Sequence, residues 1–214
     1  MDTIREVRRL NVDNLKVLYD QDLKKWHEYE YLIDIACQHS EITIDIIEWL
    51  YNHGQYFTKQ SFYEIIKQDK VEIFTWLLEH YPIETQEEIY ELLYEIARYG
   101  RLYMLKKVLT LKMFCPMEYE LSLVCFYAII YGNLSILSVL QEKKYVFLYE
   151  HQIYYILYNI CKKDYFPILK WVNEHYHDFL VYLPEEDKTE LLQRRMTKKM
   201  YDYLLIVFYG TLSI

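Results

Sequence analysis

The chain has 214 residues, 53% of them hydrophobic and 26% charged, enough apolar surface to offset the entropy of ordering and to exclude wholesale disorder. Glycine and proline number four each, too few for a collagen-like or many-stranded β protein, both of which need turn formers. A net charge of −8 argues against general nucleic-acid binding, which needs basic side chains to displace phosphate counterions, and favours a basic protein partner.

In chain order, the opening Met1-Asp2-Thr3-Ile4-Arg5 has no apolar stretch of the signal-peptide kind. The first helical segment, 12–18, starts a series in which an aliphatic or aromatic anchor is followed by apolar residues at helical spacing. The others are 44–50, 71–77, 102–108, 134–140 and 166–172, anchored by Ile44, Val71, Leu102, Leu134 and Phe166 after Val12. Successive anchors lie 32, 27, 31, 32 and 32 residues apart, a regularity that unrelated helices seldom show. Each anchored segment reads as the second helix of a pair. The preceding helices, among them 31–37, 88–97, 123–129 and 153–161, are apolar most of the way round, as a helix clamped between neighbours must be. A pair this short cannot bury its own apolar surface, so stacking completes the core.

Gly100 and Gly132 fall between paired helices and Gly54 follows a second helix, places where the chain leaves the α region. Pro82, Pro116 and Pro184 lie in spacers, and Pro167 stands in the first turn of a second helix, where proline is tolerated. The unit between Ile44 and Val71 is five residues short, which requires an irregular neighbouring joint. No run of 18 apolar residues occurs, the nearest being 203–209, so no membrane span is expected.

Ala97-Arg98-Tyr99-Gly100-Arg101-Leu102 and Tyr131-Gly132-Asn133-Leu134 resemble the A-x-x-G-x-L segment of the ankyrin repeat. Trp49-Leu50-Tyr51-Asn52-His53-Gly54 and Trp76-Leu77-Leu78-Glu79-His80-Tyr81 resemble its L-L-L-E-x-G ending. The resemblance covers roughly residues 5–180. The family's T-P-L-H opening, whose Thr and His organise the turn before the first helix, is absent; Asp34, Tyr63, Tyr94, Phe126 and Leu157 hold the His slot. Asp-Gly and Asn-Gly turns are missing from the spacers. The resemblance therefore implies an all-α solenoid of about six stacked helix-turn-helix units with degenerate or missing hairpins. A single domain covers 1–214, with 181–214 as a helical cap. Richness in Tyr, Ile and Lys with little Gly and Ala resembles ankyrin-like proteins of large DNA viruses.

Residues that carry chemistry are scattered. The histidines are His27, His39, His53, His80, His151, His175 and His177. Within Glu174-His175-Tyr176-His177, near Asp178, two rings two residues apart diverge on a helix, whereas zinc needs i and i+4, so a solvated helix end is the reading. Cys37 and His39 fail on the same spacing. His53 and His80, near the ends of second helices, face the negative dipole end. Cys37, Cys115, Cys125 and Cys161 form no C-x-x-C and read as small apolar packing residues in a reducing compartment, hence an intracellular, cytoplasmic location. No G-x-S-x-G occurs; Ser40, Ser61, Ser122, Ser135 and Ser138 lie at helix starts or within helices, with Ser61 a candidate cap. Four scattered glycines make no phosphate loop. Glu87, Glu88, Glu91 and Glu95 read as a solvated face. No enzyme, cofactor or metal is expected.

A stacked array holds other macromolecules. Tyr56, Phe57, Tyr81, Phe114, Tyr145 and Phe147 are the candidate contact tips, against the plainer reading that each staples adjoining helix ends. Arg194, Arg195, Lys198 and Lys199 form a basic patch, read as a charged terminal cap. Leu183, Pro184, Glu186, Leu191 and Leu192 have the skeleton of an F-box opening, which in viral ankyrin proteins recruits a ubiquitin ligase through its adaptor; a capped terminal helix explains the same residues. The expected function is a protein-interaction module, with a virion component assembling by homotypic contacts and a ubiquitin-ligase adaptor as alternatives.

Overall fold

A computed structural model describes residues 6–7, 12–21 and 31–210; His27 lies outside them. Thirteen α-helices and no strand occur among the described residues. After α1 (Val12–Gln21) the helices come in pairs: α2 (Leu32–Cys37) with α3 (Ile44–Asn52), α4 (Lys59–Gln68) with α5 (Val71–His80), and α6 (Gln86–Tyr99) with α7 (Leu102–Val108). Then follow α8 (Glu118–Ile130) with α9 (Leu134–Glu142), α10 (Glu150–Lys163) with α11 (Phe166–Val181), and α12 (Glu185–Leu192) with α13 (Lys198–Tyr209). Every anchor from Ile44 to Phe166 opens a second helix, and one further step of 32 residues lands on Lys198, the start of α13. The C-terminal segment thus contains another pair in the same register.

The chain divides into two compact units, residues 1–96 with 103–114, and residues 97–102 with 115–214. In the first, α2 packs on α3 and α4, α4 on α5, and α3 on α5. In the second, α8 packs on α9 and α10, α10 on α11 and α12, and α13 on α11 and α12. First helices stack on first helices within each unit, and second on second. The second helices bury matching positions: Ile46, Ile47 and Leu50 in α3, Phe74 and Leu77 in α5, Leu105 and Val108 in α7, Leu137 and Leu140 in α9, and Leu169 and Val172 in α11. Each fully buried aliphatic side chain contributes about 1.5–3 kcal/mol. The described anchors are half-buried, one turn ahead of this core.

Between the helices of a pair the backbone turns left-handed at Asp69 (φ 62°), Gly100 (70°), Gly132 (80°) and Asp164 (56°). At three of these joints the next N–H returns to the first helix: Lys70 to Ile65 O (3.3 Å), Asn133 to Ala128 O (2.8 Å) and Tyr165 to Ile160 O (3.0 Å), which satisfies carbonyls the helix end leaves unpaired. Asp shares the position with Gly because its short polar side chain tolerates the left-handed region. The short unit has a physical account: α4 has 10 residues against 14 in α6 and α10, about one turn less. The irregular joint is 38–43, longer than those after α4, α6, α8 and α10.

Side chains at one joint also cap the pair before it. Gln68 Nε2 donates to Cys37 O (2.7 Å), Lys70 Nζ to Ile42 O (2.8 Å), Asn133 Nδ2 to Ala97 O (2.7 Å) and Lys163 Nζ to Ile130 O (2.5 Å). Neighbouring pairs are therefore held by polar clamps as well as by the dry core.

Cys37, Cys125 and Cys161 are buried packing residues, as expected, but Cys115 is exposed on the connection between α7 and α8. The expectation fails there because Cys115 lies in the connection 109–117, outside the helices whose faces form the core. Burial pushes the three buried thiols up to about 12, so they hold no thiolate near neutral pH. Titration of the native chain with Ellman's reagent at pH 8 is expected to modify Cys115 rapidly and the others only in denaturant. Rapid reaction of a second thiol would show that the helix packing is wrong.

Candidate interaction surface

Polar side chains on the first helices of the first unit tie one pair to the next. On α2, Asp34 accepts from Thr58 N–H (2.9 Å), Thr58 Oγ1 (2.7 Å) and Ser61 Oγ (2.5 Å) at the start of α4. Thr58, whose Oγ1 accepts from Gln60 N–H, is the N-cap of α4; Ser61, the candidate cap, is instead buried against Asp34. One pair on, Glu91 of α6 accepts from Lys59 Nζ (2.6 Å) and from Tyr63 OH (3.1 Å). Burial and the Glu91 carboxylate push the Tyr63 phenol up to about 12. The acidic run is thus not merely solvated: Glu91 joins pairs, and Glu88 accepts from Thr85 N–H while donating its own N–H to Thr85 Oγ1, a reciprocal cap on α6.

In the second unit the first helices carry an aromatic cluster. Phe126 of α8 stacks on Tyr155 of α10 (5.6 Å between centroids), Tyr155 on Tyr158 (6.3 Å), and the guanidinium of Arg194 lies 3.8 Å above Tyr158. Tyr155 is 53% exposed. Three packed rings and a cation form a preformed apolar patch with a polar border.

A further device repeats at the ends of second helices. Trp49 and His53, Trp76 and His80, and Trp171 and His175 stack at centroid distances of 4.2, 3.9 and 4.6 Å. Each histidine turns Nδ1 onto the tryptophan carbonyl, at 2.6, 2.8 and 2.7 Å. The Trp-x-x-x-His spacing, five and nine residues after Ile44, Val71 and Phe166, was visible in the sequence as a recurring pair, whereas reading the histidines one by one concealed it. It accounts for His175, which also meets the Gln141 amide, and His177 is engaged by Asn173 Oδ1 (2.9 Å). Both lie beside a kink at Tyr176, where an open depression of about 310 Å³ is lined by 174–179. Among the described residues no group of three His, Cys, Asp or Glu side chains is arranged to hold a metal.

Of the six candidate tips, Tyr56 is exposed (64%) and the other five are half-buried. Phe57 sits among Tyr51, Phe62, Trp76 and Tyr81, and Phe114 lies against Tyr90. The carbonyl of Tyr145 faces Cys125 Sγ at 3.6 Å, two residues before Phe147. The Phe57, Tyr81 and Phe114 rings thus pack against neighbouring aromatic side chains. In the F-box-like skeleton Leu183 and Leu191 are buried and Leu192 half-buried, Pro184 is the N-cap of α12, and Glu186 is exposed, so its two leading leucines serve the core. Arg194, Arg195, Lys198 and Lys199 surround the joint of the last pair.

Charge divides between the units. Acidic residues outnumber basic ones 20 to 12 in the first, and the second has 12 of each, so the net −8 belongs to the first. No helix among the described residues is long and apolar enough to cross a membrane. No protein-family model, curated protein or solved structure matches the chain.

Proposed function

We propose that this chain is a non-enzymatic, ankyrin-like protein-interaction module of a large DNA virus, acting in the host cytoplasm on a host or viral protein. The observation that carries the reading is the Phe126–Tyr155–Tyr158–Arg194 patch. Tyr and Arg dominate the energetically important positions of protein interfaces, and rings already fixed by stacking lose little further entropy on binding. Polar clamps between successive pairs keep such a patch rigid. The acidic first unit supports a partner with basic character at a second point of contact.

The test is affinity capture from the cell that makes the chain, comparing it with the Tyr155→Ala/Tyr158→Ala variant. The proteins retained by the unaltered chain are expected to fall about tenfold or more with the variant at an unchanged melting temperature. Equal capture by both would overturn the role of the patch. Light scattering after gel filtration separates the alternative of homotypic assembly: this reading expects the 26.5 kDa monomer, and concentration-dependent multimers would favour a structural component.

A further inference from the structure

We infer that a depression between the first turn of α10, the end of α11 and the first turn of α12 is a seat for an arginine side chain of the partner protein. The inference deepens the interaction-module reading and rests on it. The depression holds about 270 Å³, below the roughly 300–1,000 Å³ of small-molecule sites and suited to one long side chain. It is lined by the buried Ile153 and Leu183, by the rings of Phe179 and Tyr182, and by the carboxylates Glu150 and Asp187. His151 also lines it and is stacked on Tyr149, 5.7 Å between centroids. The whole lining lies within the second unit, where α10 packs on α11 and α12.

Fold stability does not account for this lining. Tyr182, the C-cap of α11, is 79% exposed, more than any other large apolar side chain among the described residues, and its ring has no aromatic or hydrogen-bonded partner there. Neither Glu150 nor Asp187 has a hydrogen-bonded or ionic side-chain partner among the described residues. Helix dipoles favour acids at the starts of α10 and α12, but each positive end carries only about half an elementary charge, and α11 brings its negative end to the same place. The first turn of α12 alone has three acids, Glu185, Glu186 and Asp187, of which Glu185 is paired with Lys188 (2.8 Å). The depression therefore stays negative, and no Lys or Arg lines it. The neighbouring depression at the Tyr176 kink shares Phe179 and has Glu174 and Asp178 in its lining, again without Lys or Arg.

An arginine satisfies both parts of the lining. Its aliphatic stem covers apolar surface, and its guanidinium is attracted to aromatic faces and pairs with carboxylates through a planar fork. An apolar side chain would strip water from two unpaired carboxylates without replacing their hydrogen bonds. A phosphate would be repelled. A metal ion finds no group of three His, Cys, Asp or Glu side chains arranged to hold it among the described residues. Arginine is also over-represented among the residues that carry interface energy, as is tyrosine on the receiving side.

The experiment titrates the isotope-labelled full chain with acetyl-Gly-Arg-Gly-amide and with its citrulline and methionine counterparts, read by amide NMR shifts at low and raised salt. The Arg peptide is expected to bind saturably in the millimolar range, to shift amides of residues 150–154 and 179–187, and to weaken with salt. Citrulline, nearly the same shape without the charge, is expected to bind about fivefold or more weakly. Tyr182→Ala is expected to weaken the Arg peptide about threefold or more at an unchanged melting temperature, and Asp187→Asn to weaken it by a similar factor of about three. Tyr103→Ala, at the 70% exposed tyrosine of α7, is expected to leave it unchanged. Absence of saturable binding, equal binding of the citrulline or methionine peptide, shifts confined to other residues, or full binding by Tyr182→Ala would overturn the proposal. So would sedimentation showing self-association that Tyr182→Ala abolishes, since the seat would then belong to another copy. If the Arg peptide does not bind while capture through Tyr155 and Tyr158 persists, the seat fails and the interaction module stands.

Discussion

Gly132→Val is expected to lower the stability of the second unit by about 4 kcal/mol, read as a shift of the urea midpoint followed by circular dichroism. Two costs combine. Gly132 has φ +80°, where a β-branched residue is strained by about 1–3 kcal/mol. A Cβ built there also stands 2.9 Å from Cε2 and Cζ of Tyr165, and forcing atoms into packed space costs a further 1–3 kcal/mol or so. The Tyr165 backbone is held in place, since it follows the left-handed Asp164 and its N–H is tied to Ile160 O (3.0 Å), so only a rotation of its ring can relieve the contact. Gly210 supplies the control: it has φ +71° with nothing within 4 Å of an added Cβ. Gly210→Val therefore carries backbone strain alone and is expected to cost about 1–2 kcal/mol less than Gly132→Val. Equal midpoints for the Gly132 variant and the unaltered chain would show that the joint is not as described.

Asp34→Ala is expected to cost the first unit about 3 kcal/mol by the same measurement. The carboxylate accepts three hydrogen bonds from the start of α4, and Ser61 is fully buried (0% exposed). Removing a charged acceptor takes the Asp34 bond from that hydroxyl in a dry site where Cys37 is its other neighbour, and bonds to charged groups contribute about 1.5–3 kcal/mol each before partial compensation. Asp34→Asn keeps an oxygen for two of the three donors and is expected to lose about half as much. A double-mutant cycle with Ser61→Ala is expected to give a coupling energy of about 1 kcal/mol or more. A loss below about 0.5 kcal/mol for Asp34→Ala, the range of an ordinary surface change, would remove Asp34 as the link between pairs.

Both substitutions mark the boundary of what a sequence shows. Gly132 was legible because glycine has few reasons to recur 32 residues apart except a backbone that requires it. Asp69 and Asp164 play the same part and were missed, because aspartate is at home in many settings. Asp34 was identified only as an occupant of a slot that lacked its usual histidine. That its carboxylate engages Thr58 and Ser61, 24 and 27 residues on, depends on how α2 and α4 are set side by side. The aromatic tips fared likewise. Phe57 and Phe114 lie in spacers, as an exposed contact would, yet spacing along the chain says nothing of the Trp76 and Tyr90 rings that receive them.

The helical character of this protein, its pairing and its 32-residue step are local and periodic properties. They were settled by the order of apolar side chains, since each helix repeats the same burial against its neighbours. Which polar atoms meet across neighbouring helices was decided only in three dimensions. A hydrogen bond between residues some 30 positions apart leaves no periodic trace, because its strength depends on distances of a few ångströms that only packed neighbours establish.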